Sequence, residues 1–409
     1  MSRSAALNIP TELQLPGSAP ASPSGQRTWS TGHIRVLDGL RGCAVLAVML
    51  YHFTAPEMTY RAGGFAGRIQ RVAGAGWCGV DLFFVLSGFL ITGILLDAKG
   101  STTYFKSFYV RRVLRIFPLY YGVIALVALA LASPSISQFF GFEDIKASLG
   151  WMCLFLGNFV MALRHDKTAF GPMGHFWSLC VEEHFYMVWP AVVLLCTRRQ
   201  LTLACIGFMF GAFAMRCGVA LHLGSTRGMD LTYMLTPCRV DGLAMGAVLA
   251  SAVRGNLAVA RVRNWAWIAG GLSLALILAL GFRRTGGGFS HYGRAMNTGG
   301  FTLFAIFFTC VIALLISAYP GSMGRRAMEW TPLRSLGRYS FAMYVFHLIL
   351  MRPFTLIYPF DRLTRVLGSQ NLPILVFAVL SITCTYGLAW LSWHLYERNF
   401  LQLKRFFPY

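Results

Sequence analysis

Ionisable side chains stand inside the stretch DGLRGCAVLAVMLYH, which otherwise has the composition of a membrane-spanning helix. Arg41 and His52 are eleven positions apart, so at about 100° and 1.5 Å per residue they share one helix face and lie about 16 Å apart along it. Asp38 falls on the same side, one turn before Arg41. A charge at mid-bilayer costs about 2.5 to 3.5 kcal/mol on insertion scales, so such residues normally face a partner or a water-filled cavity. The stretch therefore predicts a functional site, with a purely structural Asp38 to Arg41 pair as the alternative.

A second group of polar side chains lies in the stretch GHFWSLCVEEHFYMVWP. An imidazole, a hydroxyl, a carboxylate and a phenol follow a spacing of 3, 4 and 4 residues, so they share one face of a helix. They belong to His175, Ser178, Glu182 and Tyr186. Glu183 points about 100° away from Glu182. Carboxylates are costly inside a span, so we expect them to have a function. The stretch has no HExxH spacing and no three-ligand cluster, so no metal site is predicted.

Two arginines, Arg112 and Arg115, stand one helical turn apart at the start of the predicted span FYVRRVLRIFPLYY. Guanidinium groups bind phosphate through paired hydrogen bonds, so these arginines could clamp a phosphorylated ligand. Basic residues that flank a span on its cytoplasmic side would produce the same pattern without any ligand. The sequence alone leaves both a phosphate clamp and a topology signal open.

Further ionisable residues lie within predicted spans, among them Asp81, Arg239, Asp241 and His347. Asp81 is near the start of the second span, and Arg239 and Asp241 begin the sixth. We expect these three residues to support the site, because isolated charges are rarely left facing lipid. His347, on an otherwise apolar helix, is interpreted as a hydrogen-bonded packing residue, which is the more common role of such a histidine.

The elements that carry these residues are predicted from composition. The chain of 409 residues is 56% hydrophobic and only 12% charged, whereas soluble domains have about 25% charged residues. The fold class expected is therefore an all-α integral membrane protein, with a single bundle of about ten transmembrane helices of 17 to 23 residues. A shorter apolar segment, 149–163, is predicted to be re-entrant or interfacial. The spans are predicted near 34–53, 77–97, 113–133, 179–197, 201–223, 233–253, 265–281, 299–318, 338–358 and 373–395.

Loop charges predict the orientation of the bundle. Lys and Arg are in excess in the loops on the side of both termini, which predicts that both termini are cytoplasmic. Residues 1–33 are predicted to be a disordered cytoplasmic tail, 34–398 the membrane domain and 399–409 a cytoplasmic C-terminal tail. The net charge of +21 is dispersed over short loops. Nucleic acid is therefore not expected as a partner, whereas the lipid bilayer and an anionic cytoplasmic ligand are.

Seven motifs, in order along the chain, together resemble the membrane acyltransferase 3 family, which O-acylates sugars and other hydroxylated acceptors. They are DGLRG followed by His52, GVDLFFVLSGFLIT, RRVLRIFPLYY, WSLCVEEHFY, RVDGLAMG, GRYSFAMYVFH and YER. The resemblance extends over almost the whole chain. Two positions depart from the family pattern: His184 stands where Gln is usual, and Asn399 stands where Pro often follows YER.

The resemblance implies a cytoplasmic acyl-coenzyme A donor, with acetyl-coenzyme A expected from family prevalence, used as a co-substrate without a bound cofactor. It implies an acceptor hydroxyl on a cell-surface or exported glycan or glycoconjugate, and a location in the bacterial inner membrane. Arg112 and Arg115 would then hold the anionic nucleotide end of the donor. Arg41 would contact the donor or hold the bundle open.

Within that resemblance, His52 would be the general base that removes the proton of the acceptor hydroxyl. We expect Glu182, or less favourably Asp81, to be the carboxylate that orients it. The donor to the thioester oxyanion stays open among three residues. These are Arg239, Ser178 and Tyr186. A two-step mechanism, in which His52 itself carries the acyl group, is the alternative.

A transporter or flippase for a glycan or lipid-linked intermediate is the alternative function. Many spans, ionisable residues at mid-membrane and Gly or Pro breaks also suit a transporter. No internal duplication is recognisable, which favours the acyltransferase. Consumption of a thioester would distinguish the two functions.

Overall fold

The structure is a computed structural model that describes residues 34–54, 72–166, 168–223, 225–255, 257–282, 293–369 and 372–409. The predicted N-terminal tail, 1–33, lies outside the described residues. The described chain contains helices and no strand. Its α-helices are α1 Arg35–Phe53, α2 Gly79–Asp97, α3 Tyr104–Ala130, α4 Pro134–Phe140, α5 Leu149–Cys153, α6 Gly157–Arg164, α7 Trp177–Leu195, α8 Arg198–His222, α9 Ser225–Met234, α10 Thr236–Val253, α11 Val259–Phe282, α12 Phe301–Ser317, α13 Met323–Met328, α14 Thr331–Phe346, α15 Met351–Ile357, α16 Phe360–Leu367, α17 Leu372–Ser392 and α18 Arg398–Gln402.

The membrane-spanning helices confirm the predicted fold class. Within the described residues, eight helices are long and apolar enough to cross a membrane, and α14 and α15 make a ninth if this pair, bent by 82°, is one broken span. The remaining predicted span, near 233–253, is α10, an 18-residue helix whose first turns include Arg239 and Asp241. The protein is an all-α membrane protein, although the number of spans depends on how α10 and the bent pair are counted.

The short apolar segment 149–163 is divided between α5 and α6, which have 5 and 8 residues. At 1.5 Å per residue these helices are about 8 and 12 Å long, much shorter than the roughly 30 Å of hydrocarbon in a bilayer. The break between them includes Phe155, whose φ is 55°. The segment therefore matches the predicted re-entrant or interfacial piece.

Glycine allows close packing of α10 against α2, deep in the bundle. A Cβ placed on Gly88 would lie 1.9 Å from the carbonyl oxygen of Leu243, and one on Gly246 would lie 2.0 Å from that of Val85. Small residues let membrane helices approach backbone to backbone, and no other residue fits at these two positions. This contact determines which charged side chains of α2 and α10 meet.

A similar contact holds α1 against α14. A Cβ on Gly42 would lie 2.1 Å from the carbonyl oxygen of Leu333, and one on Gly337 would lie 1.8 Å from that of Asp38. The two helices therefore pack closely at the end where α1 begins. Their other ends carry His52 and His347, which are brought together as a result.

The chain after α17 folds back onto the start of α3. It continues through a π-helical turn, Trp393–Glu397, into α18 and a 3-10 turn, Leu403–Phe406. Arg111 Nη1 donates hydrogen bonds to the carbonyl oxygens of Lys404 and Phe407, at 3.2 and 3.1 Å. The segment 399–409, predicted as a tail, is thus packed against a membrane helix.

Candidate functional site

A cavity of about 280 Å³ lies between α1, α2, α3, α7, α14 and the C-terminal segment. Seven of the residues selected from sequence line it. These are Arg41, Arg112, Arg115, Ser178, Glu182, Glu183 and Tyr186. Arg111 and Lys404 also line it, so five cationic side chains share the cavity with two carboxylates. Such a lining suits a ligand with several negative charges.

Glu182 lines the cavity and is hydrogen-bonded there. The Glu182 carboxyl group is within hydrogen-bond distance of the hydroxyls of Ser87 and Tyr186, and these two hydroxyls are also within hydrogen-bond distance of each other. Asp38 and Glu182 both act electrostatically on the Arg41 guanidinium. Arg41 is therefore balanced by two carboxylates, one from its own helix and one from α7. Ser87 of α2 is a site residue that spacing within α7 could not reveal, because it reaches Glu182 from another helix.

Arg112 and Arg115 of α3 act electrostatically on Lys404 of the C-terminal segment. The Arg112 guanidinium lies 5.6 Å from the centre of the Tyr186 ring and 5.9 Å from that of Phe108. Its Nε is buried without a hydrogen-bond partner among the described residues. Neither Arg112 nor Arg115 forms an ion pair within the described part of the chain. The guanidinium groups of Arg112 and Arg115 are both half-buried. Carboxylates act on them without forming an ion pair, Glu182 and Glu183 on Arg112 and Glu397 on Arg115. Half-buried cations that form no ion pair are suited to an anionic ligand.

The hydrogen bonds of His52 define its tautomer. Its Nδ1 lies 2.9 Å from the carbonyl oxygen of Val48 and 3.2 Å from Nε2 of His347. A carbonyl oxygen only accepts hydrogen bonds, so Nδ1 carries the proton and Nε2 holds the lone pair. His347 has the same tautomer, because its Nδ1 lies 2.7 Å from the carbonyl oxygen of Tyr344. Nε2 of half-buried His52 is therefore the basic nitrogen.

Tyr344 connects the cavity to a cluster of three histidines, His52, His175 and His347. Tyr344 lines the cavity, and its hydroxyl lies 2.6 Å from Ser178 Oγ. Its carbonyl oxygen accepts hydrogen bonds from His347 and from Nε2 of His175, at 2.7 and 2.9 Å. The ring centres of His175 and His347 are 4.7 Å apart. His52 does not line the cavity, whereas Tyr344 both lines the cavity and contacts the histidine cluster.

The structure differs from the prediction that a carboxylate, Glu182 or Asp81, lies beside His52. His347 occupies that position, whereas Glu182 is bonded to Ser87 and Tyr186 inside the cavity. Glu182 acts on Arg41, which lies about 16 Å from His52 along α1. His347, interpreted from sequence as a packing residue, does satisfy a backbone carbonyl, but its second nitrogen faces His52. The GRYSFAMYVFH motif was the signal that could have shown its role.

Asp81 is held in a buried ion pair. Its Oδ1 accepts a hydrogen bond of 2.7 Å from Arg239 Nη2, and both side chains are at most 4% exposed. The Arg239 guanidinium lies 3.8 Å from the centre of the Phe301 ring and is also close to the rings of Trp177 and Tyr233. Neither Asp81 nor Arg239 lines the cavity, whereas Ser178 and Tyr186 both do.

Asp241 has a separate partner. Its Oδ2 accepts hydrogen bonds from Arg216 Nη2 at 2.8 Å and from Thr302 Oγ1 at 2.9 Å. Both ionised side chains are at most 3% exposed. Asp241 therefore joins α8, α10 and α12 rather than the lining of the cavity.

The fold and cavity define a class first: a multi-pass helical membrane protein with a polybasic internal cavity. A family model described as an acyltransferase domain matches residues 34–393. The chain belongs to the acyltransferase 3 family. No solved structure matches it.

Relatives of the chain are bacterial. The peptidoglycan O-acetyltransferase OatA of Listeria monocytogenes is 28% identical, over 90% of this chain and 56% of its own length. YrhL of Bacillus subtilis, provisionally named a peptidoglycan O-acetyltransferase, is also 28% identical, over 90% of this chain and 54% of its own length. The chain thus spans about half the length of these curated relatives.

Proposed function

We propose that the protein is an O-acyltransferase that moves an acetyl group from acetyl-coenzyme A to a hydroxyl of a cell-wall or other exported glycan. The observation that carries the proposal is one cavity in which unpaired arginines of α3 meet Arg41 and Glu182, with Tyr344 joining it to the base His52. The names of the relatives support the acetyl group and the glycan acceptor.

The donor is placed by charge. Arg112 and Arg115 bind the phosphates of coenzyme A, because guanidinium groups pair well with phosphate oxygens. The pantetheine arm runs past Arg41 along α1, and the thioester passes the hydroxyls of Ser178 and Tyr344 to meet His52. In the bacterial inner membrane this places the arginines at the cytoplasmic face with both termini, and His52 toward the outer face.

The transfer is a base-assisted attack. His52 Nε2 takes the proton of the acceptor hydroxyl while the hydroxyl oxygen forms a bond to the thioester carbonyl carbon. Collapse of the tetrahedral intermediate breaks the carbon–sulfur bond, and the departing thiolate receives the proton from His52. His347 Nε2 accepts from Nδ1 of His52 and stabilises the imidazolium. The oxyanion is bound by the hydroxyl of Ser178, which lies within hydrogen-bond distance of Tyr344 and His175, whereas the Tyr186 hydroxyl is held with Glu182 near Arg41.

The function is tested by acceptor-dependent release of coenzyme A. Purified protein in nanodiscs is given acetyl-labelled acetyl-coenzyme A and a mixed pool of bacterial glycans. We expect coenzyme A release that requires the glycans, with label recovered in them. Folded protein that moves glycans across vesicles without releasing coenzyme A would contradict the proposal and support a transporter.

Replacing both Arg112 and Arg115 by Ala should raise the apparent KM for acetyl-coenzyme A about 10- to 100-fold, because charge-assisted hydrogen bonds to phosphate are lost. The measurement is the initial rate against donor concentration. Lys106→Ala is the control, since Lys106 is an exposed cation on the same helix outside the cavity. Equal effects of the two changes would reduce the pair to a topology signal.

Replacing His347 by Phe should lower kcat on the order of 100-fold, because the side-chain acceptor that stabilises the His52 imidazolium is removed and only the Val48 carbonyl oxygen remains on Nδ1. The KM for acetyl-coenzyme A should stay near the wild-type value, since His347 does not line the cavity. His347→Gln retains an acceptor and should recover most of the rate. A Gln variant as impaired as the Phe variant would indicate a packing role only.

A further inference from the structure

The cavity contains a cation that helix spacing does not predict. Lys404 lines it from the 3-10 turn Leu403–Phe406, although it lies almost 300 residues beyond α3 in the sequence. Its side chain is half-buried, and its ammonium group has no hydrogen bond or ion pair among the described residues. Three arginines of α3 and Arg41 share the cavity with it, whereas the described residues contribute two side-chain carboxylates to the lining, Glu182 and Glu183. This excess of positive charge calls for a polyanion.

The position of Lys404 is set by its backbone. Arg111 donates to the carbonyl oxygens of Lys404 and Phe407. Ser107 Oγ and Thr103 Oγ1 both donate to the carbonyl oxygen of Pro408, at 2.5 and 3.3 Å. The side chain of Lys404 takes no part in these contacts, so it is available to a ligand.

The same segment supplies an aromatic ring at the cavity. The Arg111 guanidinium lies 5.0 Å from the centre of the Tyr409 ring, which also lines the cavity. Burial raises the pKa of the Tyr409 hydroxyl above its usual range, so the ring is present as a neutral group. A ring backed by a guanidinium is a surface on which a nucleotide base can stack.

We infer that the segment Leu403–Tyr409 forms the cytoplasmic half of the donor site, in which Lys404 Nζ binds the 3′-phosphate of coenzyme A. This inference rests on the proposed function. Lys404 is held at the level of Arg111, which lies about one turn nearer the start of α3 than Arg115. The thioester must extend in the opposite direction, toward His52. The phosphate farthest from the thioester is the one on the ribose, so it meets Lys404. The diphosphate, which is joined to the pantetheine arm, meets Arg112 and Arg115.

The test is a binding titration of coenzyme A and of 3′-dephospho-coenzyme A to the full chain in phosphatidylcholine nanodiscs, where no anionic lipid headgroup is present. The wild type should bind coenzyme A at least tenfold more tightly than the dephospho form. Lys404→Gln should lose about tenfold in affinity for coenzyme A and change little for the dephospho form. Lys404→Arg should bind within about threefold of the wild type.

Arg405→Gln is the matched control, because Arg405 is the next residue, is exposed and does not line the cavity. It should bind both ligands within twofold of the wild type. Equal affinities of the Lys404→Gln and Arg405→Gln proteins would overturn the inference. Equal losses of Lys404→Gln for both ligands would also overturn it, since Lys404 would then meet the diphosphate. A folded wild type that binds neither ligand would overturn the proposed function as well.

Discussion

Replacing His52 by Ala should lower acceptor-dependent release of coenzyme A by about 10² to 10⁴-fold, which is the usual contribution of a general base. The physical reason is the loss of Nε2, the one nitrogen of His52 that its hydrogen bonds to Val48 and His347 leave as a base. Binding of coenzyme A should persist, because His52 does not line the cavity that holds the cations. The measurement is the rate per folded protein in membranes, with recovery of label in the glycan.

His394 provides the control for this change. Its Nδ1 lies 2.8 Å from the carbonyl oxygen of Trp390, four residues earlier. Nδ1 of His52 makes the same kind of contact, at 2.9 Å, with the carbonyl oxygen of Val48. It is exposed and does not line the cavity. His394→Ala therefore removes the same kind of local hydrogen bond and should retain the wild-type rate. A His52→Ala protein with the activity of this control would remove His52 from the reaction.

Replacing Asp81 by Ala should lower the free energy of unfolding by about 3 to 5 kcal/mol, because it leaves the buried guanidinium of Arg239 without a counter-charge. Arg239 Nε and Nη1 already have no hydrogen-bond partner among the described residues, so no other hydrogen bond of the guanidinium compensates for the loss. We expect little folded protein by size-exclusion chromatography and a lower melting temperature in detergent. The double variant Asp81→Leu, Arg239→Met should recover much of the loss, since no charge is then buried.

Asp97→Ala is the comparison for the buried pair. Asp97 and Arg254 form an ion pair of 2.6 Å between the same residue types, but the Asp97 side chain is 48% exposed. Its loss should cost less than about 1 kcal/mol. If Asp81→Ala instead melts like the wild type and only loses activity, the Asp81 to Arg239 pair belongs to the reaction and its assignment as structural is wrong.

The sequence was sufficient to predict which side chains of the site share one face of a single helix. The positions of Ser178, Glu182 and Tyr186 on one face of α7 follow from a rotation of about 100° per residue, and all three line the cavity. The separation of Arg41 from His52 along α1 follows from the same geometry.

Contacts between helices could not be read from spacing. Asp81 and Arg239 are separated by 158 positions, and His52 and His347 by 295. Which side chains meet depends on how the helix backbones pack. The family resemblance and the predicted topology therefore suggested Glu182 beside His52, although the tertiary structure puts His347 there.

The sequence by itself determined that this is an all-helical membrane protein with the motifs of the acyltransferase 3 family. Apolar composition and helical periodicity are local properties, and the order of motifs is written in the chain. Only the tertiary structure decided which charges are paired and which are available to a ligand. The glycine contacts of α1 with α14 and of α2 with α10, and the return of the C-terminal segment onto α3, bring together groups that are far apart in sequence. The physical reason is that a buried charge needs a neighbour in space, and packing between helices selects that neighbour.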